Sequence, residues 1–232
     1  MLNDFSWGLY STPYIAHYGK GHDDNPPGRG SGRYPYGSGA KGLARGKYEE
    51  AKKRVGTITN VVKFAAKESG SYMYGLQNRL KTESSIERKI NKKVIEDGLK
   101  EEEAAANMKD AIRFTTISRD YNFVHNYKKF KKVMGDLGYE ETRCKNYFEA
   151  FKRGEVKHKA VQCNYKTPDG YEFEVQFHTP ESQDVKNKKV PLYEEIRQVG
   201  ISQKRALEIE AEMERLSQSI PYPHSIEKIK DH

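Results

Sequence analysis

The sequence is poor in the residues that build disulfide-rich, secreted or membrane-spanning proteins. Among its 232 residues are only two cysteines, Cys144 and Cys163, and they form no C-x-x-C pair, so we expect no disulfide framework and a reducing compartment. No run of apolar residues approaches the roughly 20 that cross a bilayer. The N-terminus also lacks a basic segment followed by an apolar one, which argues against a secretion signal. The sequence thus predicts a cytoplasmic protein without a membrane anchor.

Apolar residues are scarce as well, at 35% of the chain. This amount suits a single modest core with polar extensions. Acidic residues are outnumbered, with 33 Asp and Glu against 41 Lys and Arg, which gives a net charge of +8. The surplus predicts an anionic partner, and nucleotides, nucleic acid and acidic protein surfaces all qualify. The 16 tyrosines could stack on nucleobases or fill a core.

Composition divides the chain into three parts. Residues 17–46 are dense in Gly, Pro, Ser and Arg and contain almost no aliphatic side chains, so they cannot bury enough apolar area to offset the entropy lost on ordering. We therefore predict a disordered basic tail over residues 1–46, a folded domain over 47–200, and a C-terminal helix with a tail over 201–232.

Periodicity and turn signals predict the secondary structure of the folded part. The helical segments are residues 47–69, 84–98, 100–108, 120–138, 181–198 and 202–219. The strand segments are residues 111–117, 139–148, 159–165 and 171–179. Particular helix signals are a capping box at Ser84 and Glu87, an N-cap at Asp120, and an interruption at Pro191. This order indicates an α+β fold in which helices flank a mostly antiparallel or mixed sheet.

The last predicted strand carries an unusual set of polar side chains on one face: Glu172, Glu174, Gln176 and His178. An ordinary sheet with one solvated face explains the alternation. Such a face usually carries Lys, Thr and Ser, however, rather than carboxylates, amides and an imidazole together. Asp110 opens another predicted strand. If both strands are central in the sheet, Asp110 and Glu174 could converge on a divalent cation, as phosphoryl transfer from ATP requires.

A basic segment precedes these strands. Arg79 and Lys81 lie two residues apart, small hydroxyl residues follow, and then come Arg88 and Lys89. One interpretation is the solvated start of a helix in a basic protein. The other is a clamp for several phosphates, because fixed guanidinium and ammonium groups bind phosphate oxygens.

Four segments, in this order, resemble motifs of the synthetase domain of the RelA/SpoT family, the ATP:nucleotide 3′-pyrophosphokinases of nucleotidyltransferase-like fold. R-L-K-T-E-S-S-I-E-R-K-I (79–90) resembles R-x-K-S-x-x-S-I-x-R-K-M, and K-D-A-I-R-F-T (109–115) resembles the D-x-x-x-R strand that supplies a Mg²⁺ ligand. R-C-K-N-Y-F (143–148) resembles R-F-K-D-Y-I, and E-V-Q-F-H-T (174–179) resembles E-I-Q-I-R-T. The resemblance implies an ATP-dependent, magnesium-dependent pyrophosphokinase.

The resemblance also implies a role for each matched residue. The catalytic residues would be Arg79, Lys81, Asp110 and Glu174. The residues that bind ATP and its phosphates would be Arg79, Lys81, Ser85, Lys89 and Arg113. The residues that bind the acceptor would be Lys145, Tyr147, His158, Gln162, Gln176 and His178. Mg²⁺ would be the cofactor, held by Asp110 and Glu174, and Glu174 would orient or deprotonate the acceptor 3′-hydroxyl.

The sequence departs from the family pattern on the acceptor side. His158 stands where the family commonly has a tyrosine that stacks on guanine, and His178 replaces the arginine of E-I-Q-I-R-T. The upstream segment is too short for the hydrolase half of the bifunctional enzymes and lacks its metal ligands, so we expect synthesis without alarmone hydrolysis. Three acceptors remain open, namely a guanine nucleotide, an adenine nucleotide and the 3′-CCA end of tRNA.

Two further hypotheses follow from the same sequence. The Gly/Pro/Arg tract resembles, in composition, tracts encoded in phage structural-gene clusters, which implies a phage or prophage origin and a place in the host cytoplasm or the virion. The protein could then be a non-catalytic phage-associated structural or interaction protein with a RelA/SpoT-like fold, and an antitoxin or a phage structural protein is the kind of partner to expect. A plain nucleic-acid-binding module would instead need aromatic residues on the polar sheet face.

Overall fold

A computed structural model describes residues 39–196 and 200–232. The strands are β1 (Tyr72–Tyr74), β2 (Arg113–Ile117), β3 (Glu140–Asn146), β4 (Val161–Lys166) and β5 (Glu172–His178). The helices are α1 (Gly39–Ser69), α2 (Glu83–Asp97), α3 (Glu101–Ala106), α4 (Phe123–Asp136), α5 (Tyr147–Lys152), α6 (Pro180–Ile196) and α7 (Gln203–Gln218). The predicted α+β class, with helices flanking a mixed sheet, is confirmed.

The five strands form one sheet in the order β1-β2-β5-β4-β3. Strands β2 and β5 are parallel neighbours at its centre, and the other pairs are antiparallel. Arg113 is directly opposite Glu174, and the Glu174 amide donates to the Ile112 carbonyl at 3.1 Å. This pairing brings the start of β2, just after Asp110, beside the first half of β5.

One face of the sheet forms the core with α1 and α4. Phe173, Val175 and Phe177 of β5 are buried on this face, as their alternation with polar residues predicts. Phe130 of α4 meets Phe177 edge to face at 5.1 Å between ring centroids, and Phe114 of β2 meets Phe173 in the same way at 6.1 Å. Edge-to-face contacts of this kind add about 0.5–1.5 kcal/mol beyond the area that they bury.

The apolar stripe predicted for α4 is largely confirmed, with one exception. Phe123, Tyr127, Phe130 and Met134 are buried. Leu137 is exposed, because the helix ends at Asp136 and the next residues turn away through Gly138, whose φ is 81°. A positive φ suits glycine because it has no Cβ to collide with the backbone.

Helix α1 begins earlier than the composition of the chain suggests. It starts at Gly39, so residues 39–46 are helical, and the prediction of disorder is wrong for them. Ala40 and Ala44 are buried against the rest of the domain. Small side chains on one helical face allow close packing even where larger apolar residues are absent. The remainder of the predicted tail, residues 1–38, lies outside the described residues.

Two helix starts differ from their predictions. Thr82, rather than Ser84, caps α2, because its backbone is extended and its Oγ1 accepts a hydrogen bond from the Ser85 amide at 3.2 Å. Asp120 does not cap α4. Its carboxylate accepts from the Tyr121 amide at 2.8 Å and opens a short 3₁₀ turn, after which α4 begins at Phe123.

Three further elements differ from the predictions. Strand β1 was not predicted, because three residues are too few for an alternation pattern. The predicted strand 139–148 ends at Asn146, whose side chain accepts from the Glu149 amide at 3.3 Å and caps α5. Helix α6 continues through Pro191, and Lys189 and Tyr193 are buried on either side of it.

The C-terminal segment packs on the domain. Ile220, Ile226 and Ile229 are buried, and the Asn146 side-chain amide donates to the carbonyls of Ile226 and Ile229 at 2.8 and 2.9 Å. Backbone hydrogen bonds also join His232 to β3. None of the helices in the described residues combines the length and the apolar character that crossing a bilayer needs.

Candidate active site

A basic cleft of about 420 Å³ opens on the polar side of β4 and β5. Residues predicted to be functional that line this cleft are Lys89, Asp110, Tyr147, Gln162 and Glu174. The two carboxylates that the sequence proposes as partners therefore line the same cleft. Further polar lining residues, which sequence analysis missed as site residues, are Lys92, Lys93, Glu96, Asp97, Asn107, Lys109, Arg143 and Asn164.

Backbone pairing places the basic segment beside Asp110. Residues 79–81 run antiparallel to residues 111–113, with the Lys81 amide donating to the Ala111 carbonyl at 2.9 Å and the Arg113 amide donating to the Arg79 carbonyl at 2.8 Å. This short ladder extends the edge of β2 and turns the Lys81 side chain toward Asp110. Helix α2 starts directly after it and carries Lys89 to the same carboxylate.

Asp110 is held by two ammonium groups. Its Oδ2 lies 3.2 Å from Lys81 Nζ and 2.5 Å from Lys89 Nζ. Burial by itself raises the pKa of this carboxyl, but the charges of Lys81 and Lys89, with a contribution from Arg113, outweigh it and hold the pKa well below 3.8. Asp110 is therefore ionised at neutral pH.

The second carboxylate oxygen of Asp110 has no protein partner. Oδ1 is buried and accepts no hydrogen bond within the described part of the chain. Buried carboxylate oxygens are normally satisfied, and a hard oxygen of this kind suits Mg²⁺. A divalent cation at Asp110 stays a prediction.

Glu174 is held by two amides instead. It is buried, and its Oε1 accepts from Gln176 Nε2 at 2.7 Å while its Oε2 accepts a short hydrogen bond from Gln162 Nε2. The Gln176 carbonyl oxygen accepts in turn from Lys186 Nζ at 2.7 Å. Each carboxylate oxygen of Glu174 has a further lone pair, so the contacts fix the group without filling its acceptor capacity.

Glu172 lies on the same strand face and is bonded differently. It is half-buried, pairs with Lys109 Nζ at 2.8 Å, and accepts from Thr142 Oγ1 at 3.0 Å. Because Glu172 and Glu174 are two residues apart on one strand, roughly 7 Å separates their backbone positions. Glu172 therefore lies at the start of β5 and outside the lining of the cleft, whereas Glu174 belongs to the cleft.

Arg79 and Ser85 do not line the cleft. Arg79 donates from Nη1 to the Leu76 carbonyl at 2.7 Å, and its Nε is buried with no acceptor among the described residues. The Ser85 hydroxyl accepts from Arg88 Nη2 at 3.4 Å and from Thr82 Oγ1 at 3.0 Å. Their predicted phosphate contacts stay predictions.

The residues predicted to bind the acceptor fall into three groups. Lys145 is half exposed and pairs with Asp231 at 3.2 Å, outside the cleft. Tyr147 and Gln162 line the cleft. The Tyr147 ring contacts the His158 ring at 4.3 Å between centroids with the two planes tilted by 47°, so the imidazole already contacts a protein ring.

The third group lines a smaller cavity of about 20 Å³, next to the cleft. Its polar lining includes His158, Gln162, Gln176, His178 and Lys186. That volume holds roughly one water molecule. Gln162 lines both spaces, so the amide that contacts Glu174 also separates the cavity from the cleft.

Both histidines beside this cavity are neutral at physiological pH. Burial, with the charges of Lys189 and Lys186, lowers the pKa of His158 to about 3. Burial and Lys186 likewise hold the pKa of His178 well below 6.5. His178 Nδ1 lies 2.9 Å from the Ser182 hydroxyl, and its buried Nε2 has no partner among the described residues.

The missed cations of the cleft differ in how easily the sequence could reveal them. Lys92 and Lys93 follow Lys89 at three and four residues on α2, so helical spacing alone puts all three on one face. Arg143 lies in a matched motif, directly opposite Asn164 across the β3–β4 pair. Lys186 lies on α6 with no local pattern that singles it out.

Comparisons with known proteins find similar solved structures at low sequence identity. No family model and no curated protein matches the sequence. The small alarmone synthetase 1 from Bacillus subtilis bound to its product pppGpp is 16% identical with a TM-score of 0.43, over 76% of this chain and 88% of that one. The small alarmone synthetase 2 from Bacillus subtilis is 12% identical with a TM-score of 0.48, over 74% and 86%. The type VI effector Tas1, in complex with its immunity protein, is 15% identical with a TM-score of 0.40, over 82% and 95%.

Proposed function

We propose that this protein transfers pyrophosphate from ATP to the 3′-hydroxyl of a nucleotide or of the 3′-CCA end of tRNA. The observation that carries the proposal is Asp110, an ionised carboxylate with one unpartnered oxygen, in a basic cleft that Glu174 also lines. A non-catalytic protein gives no reason for two such carboxylates to share one cleft. A sheet surface that stacks bases is not supported either, because Phe173 and Phe177 are buried in the core.

The cations of the cleft suit a substrate with several phosphates. Lys89, Lys92, Lys93, Lys109 and Arg143 all contribute to the lining. In phosphoryl transfer the negative charge shifts toward the leaving and transferred groups, and preorganised cations stabilise that charge better than water does. A volume of about 420 Å³ also lies within the range of ligand sites for small molecules and cofactors.

Mg²⁺ would be held by Asp110 Oδ1 together with Glu174. A bound divalent cation neutralises phosphate charge and orients the phosphates for in-line displacement. The protein's part is to keep Asp110 ionised, which Lys81 and Lys89 do, and to fix Glu174, which Gln162 and Gln176 do.

Glu174 is the group that we assign to the acceptor hydroxyl. The 3′-oxygen attacks the β-phosphorus of ATP, the bond from that phosphorus to the α,β-bridging oxygen breaks, and AMP leaves. The hydroxyl proton passes to Glu174, and the product carries the β- and γ-phosphates on its 3′-oxygen. The two amides hold the carboxylate in one orientation, which favours proton transfer at a fixed position.

Labelled ATP tests the proposal directly. ATP labelled in the γ-phosphate is incubated with the protein and Mg²⁺, and separately with GDP, GTP, ADP and bulk tRNA. We expect label on one acceptor together with an equal amount of AMP. The matched control is Lys188→Met, since Lys188 pairs with Asp184 on the exposed face of α6 at 2.7 Å. Absence of AMP formation with every acceptor would overturn the proposed function.

A further inference from the structure

Lys186 is a half-buried lysine that bonds to an amide rather than to a carboxylate. It lies on α6, across from β5, and its Nζ donates to Gln176 Oε1 at 2.7 Å. Gln176 Nε2 then donates to Glu174 Oε1 at 2.7 Å. The three side chains form a continuous row of hydrogen bonds that ends on the carboxylate assigned to the acceptor hydroxyl.

The chemistry of the row fixes the direction of the Gln176 amide. An ammonium group only donates hydrogen bonds, a carboxylate only accepts them, and a primary amide has one end of each kind. Lys186 therefore holds the amide carbonyl toward α6, which leaves the NH₂ end facing Glu174. The flipped amide would place its carbonyl oxygen against the Glu174 carboxylate and its NH₂ against the ammonium, so Lys186 and Glu174 favour the same orientation and Lys186 fixes the far end of the amide.

The surroundings of Lys186 disfavour its protonated form. Burial and, to a smaller extent, the charge of Arg113 lower its pKa to about 7, and the charge of Glu174 opposes the shift. The nearby His158 and His178 are neutral, and the neighbouring Lys189 is also cationic when protonated, so they offer no counter-charge. A half-buried amine whose hydrogen bond in the described part of the chain goes to one amide is better explained by a role in the site than by a contribution to stability.

We infer that Lys186 is a positioning residue for Glu174 and acts through the Gln176 amide. The inference rests on the proposed pyrophosphate transfer, in which Glu174 faces the acceptor hydroxyl. It gives Gln176 a task different from the direct acceptor contact that the sequence resemblance implies. It also assigns a function to α6, which otherwise only covers the sheet.

A double-mutant cycle tests the inference kinetically. Lys186→Met keeps the length and apolar bulk of the side chain and removes the donor, and Gln176→Met removes the amide. We expect Lys186→Met to lower kcat by about 10- to 100-fold with little change in the KM for ATP. A wrongly oriented base slows the chemical step but does not weaken the binding of ATP. The double variant should be no slower than Gln176→Met alone. Losses that multiply, or wild-type kcat in Lys186→Met, would overturn the inference.

Nuclear magnetic resonance of the Gln176 side-chain amide gives a second readout that needs no activity. The signal is assigned by its loss in Gln176→Met. Lys186→Met should move both amide proton resonances and speed their exchange with water, whereas Lys188→Met should leave them unchanged. Unchanged Gln176 resonances in a folded Lys186→Met protein would contradict the inference even if the wild type transfers no pyrophosphate. A wild type that is inactive while these resonances respond would count against the proposed function alone.

Discussion

The two glutamates of β5 provide a matched test of the site, because they share a strand and a face but differ in their surroundings. Glu174→Gln keeps the size of the side chain and removes its charge. Glu172→Gln makes the same chemical change one step toward the hairpin turn, where the carboxylate contacts Lys109 and Thr142. If Glu174 is the base, only the first change should stop transfer.

The expected magnitudes follow from the contacts. Loss of a positioned general base costs about 10²- to 10⁴-fold in turnover, which is about 3–5 kcal/mol of barrier. Glu174→Gln also turns one of two amide contacts into a donor facing a donor, at a cost of about 1–3 kcal/mol in the free energy of unfolding. The Lys109–Glu172 pair is partly exposed, so Glu172→Gln should cost under about 1 kcal/mol and leave turnover within about threefold of wild type.

The assay is AMP formation with the acceptor that the labelling experiment identifies, together with urea unfolding of each variant. We expect an inactive Glu174→Gln protein with a cooperative transition and an active Glu172→Gln protein. If Glu172→Gln is dead and Glu174→Gln turns over normally, the assignment of the base is wrong, and the alignment of E-V-Q-F-H-T with the family motif is wrong with it.

Three further predictions concern Lys81, Asp110 and helix α1. Lys81→Met should lower turnover by about 10²-fold or more in a folded protein, because one of the two ammonium groups that keep Asp110 ionised is lost; wild-type turnover would remove Lys81 from the site. Asp110→Asn should cost about 3 kcal/mol or more at pH 7, since two buried ammonium groups lose their counter-charge. Because the pKa of Asp110 is lowered on folding, the ionised carboxylate stabilises the protein above pH 3.8, and this stabilisation fades as the pH falls below that value. Between pH 5 and pH 2, the free energy of unfolding should therefore fall less steeply for Asp110→Asn than for the wild type. Truncation before residue 47 removes the buried Ala40 and Ala44. It should lower the free energy of unfolding by about 1–2 kcal/mol relative to truncation before residue 39. Equal urea midpoints for the two truncated proteins would disprove this.

The class of the fold and most of the elements could be predicted from sequence because their signals are local. The alternation in β5 and the apolar stripe of α4 each arise within one element, and both describe the structure. Asp110 and Glu174 were expected to converge if both strands are central, and β2 and β5 are interior neighbours in the sheet. Such signals require only that hydrophobic periodicity match the geometry of the element.

The elements and contacts that were missed depend on tertiary partners. Helix α1 extends to Gly39 because Ala40 and Ala44 find a surface to pack on, which local composition cannot reveal. The task of Lys186 depends on the distance between α6 and β5, and the pairing of Lys145 with Asp231 depends on the path of the C-terminal segment. No spacing in the sequence encodes these contacts between distant parts of the chain.

The parallel pairing of β2 with β5 has a consequence for how the protein is made. Helix α4, strand β3, helix α5 and strand β4 all intervene in the chain between these two neighbours, so their pairing closes a long loop and belongs among the slower events of folding. Asp110 and Glu174 come together only at that step, when the Glu174 amide bonds to the Ile112 carbonyl. A nascent chain that has left the ribosome only as far as β4 carries the basic segment and Asp110 but no Glu174, and so cannot consume ATP by the proposed reaction. Under the proposed function, β5 must therefore be made before the protein can act on ATP.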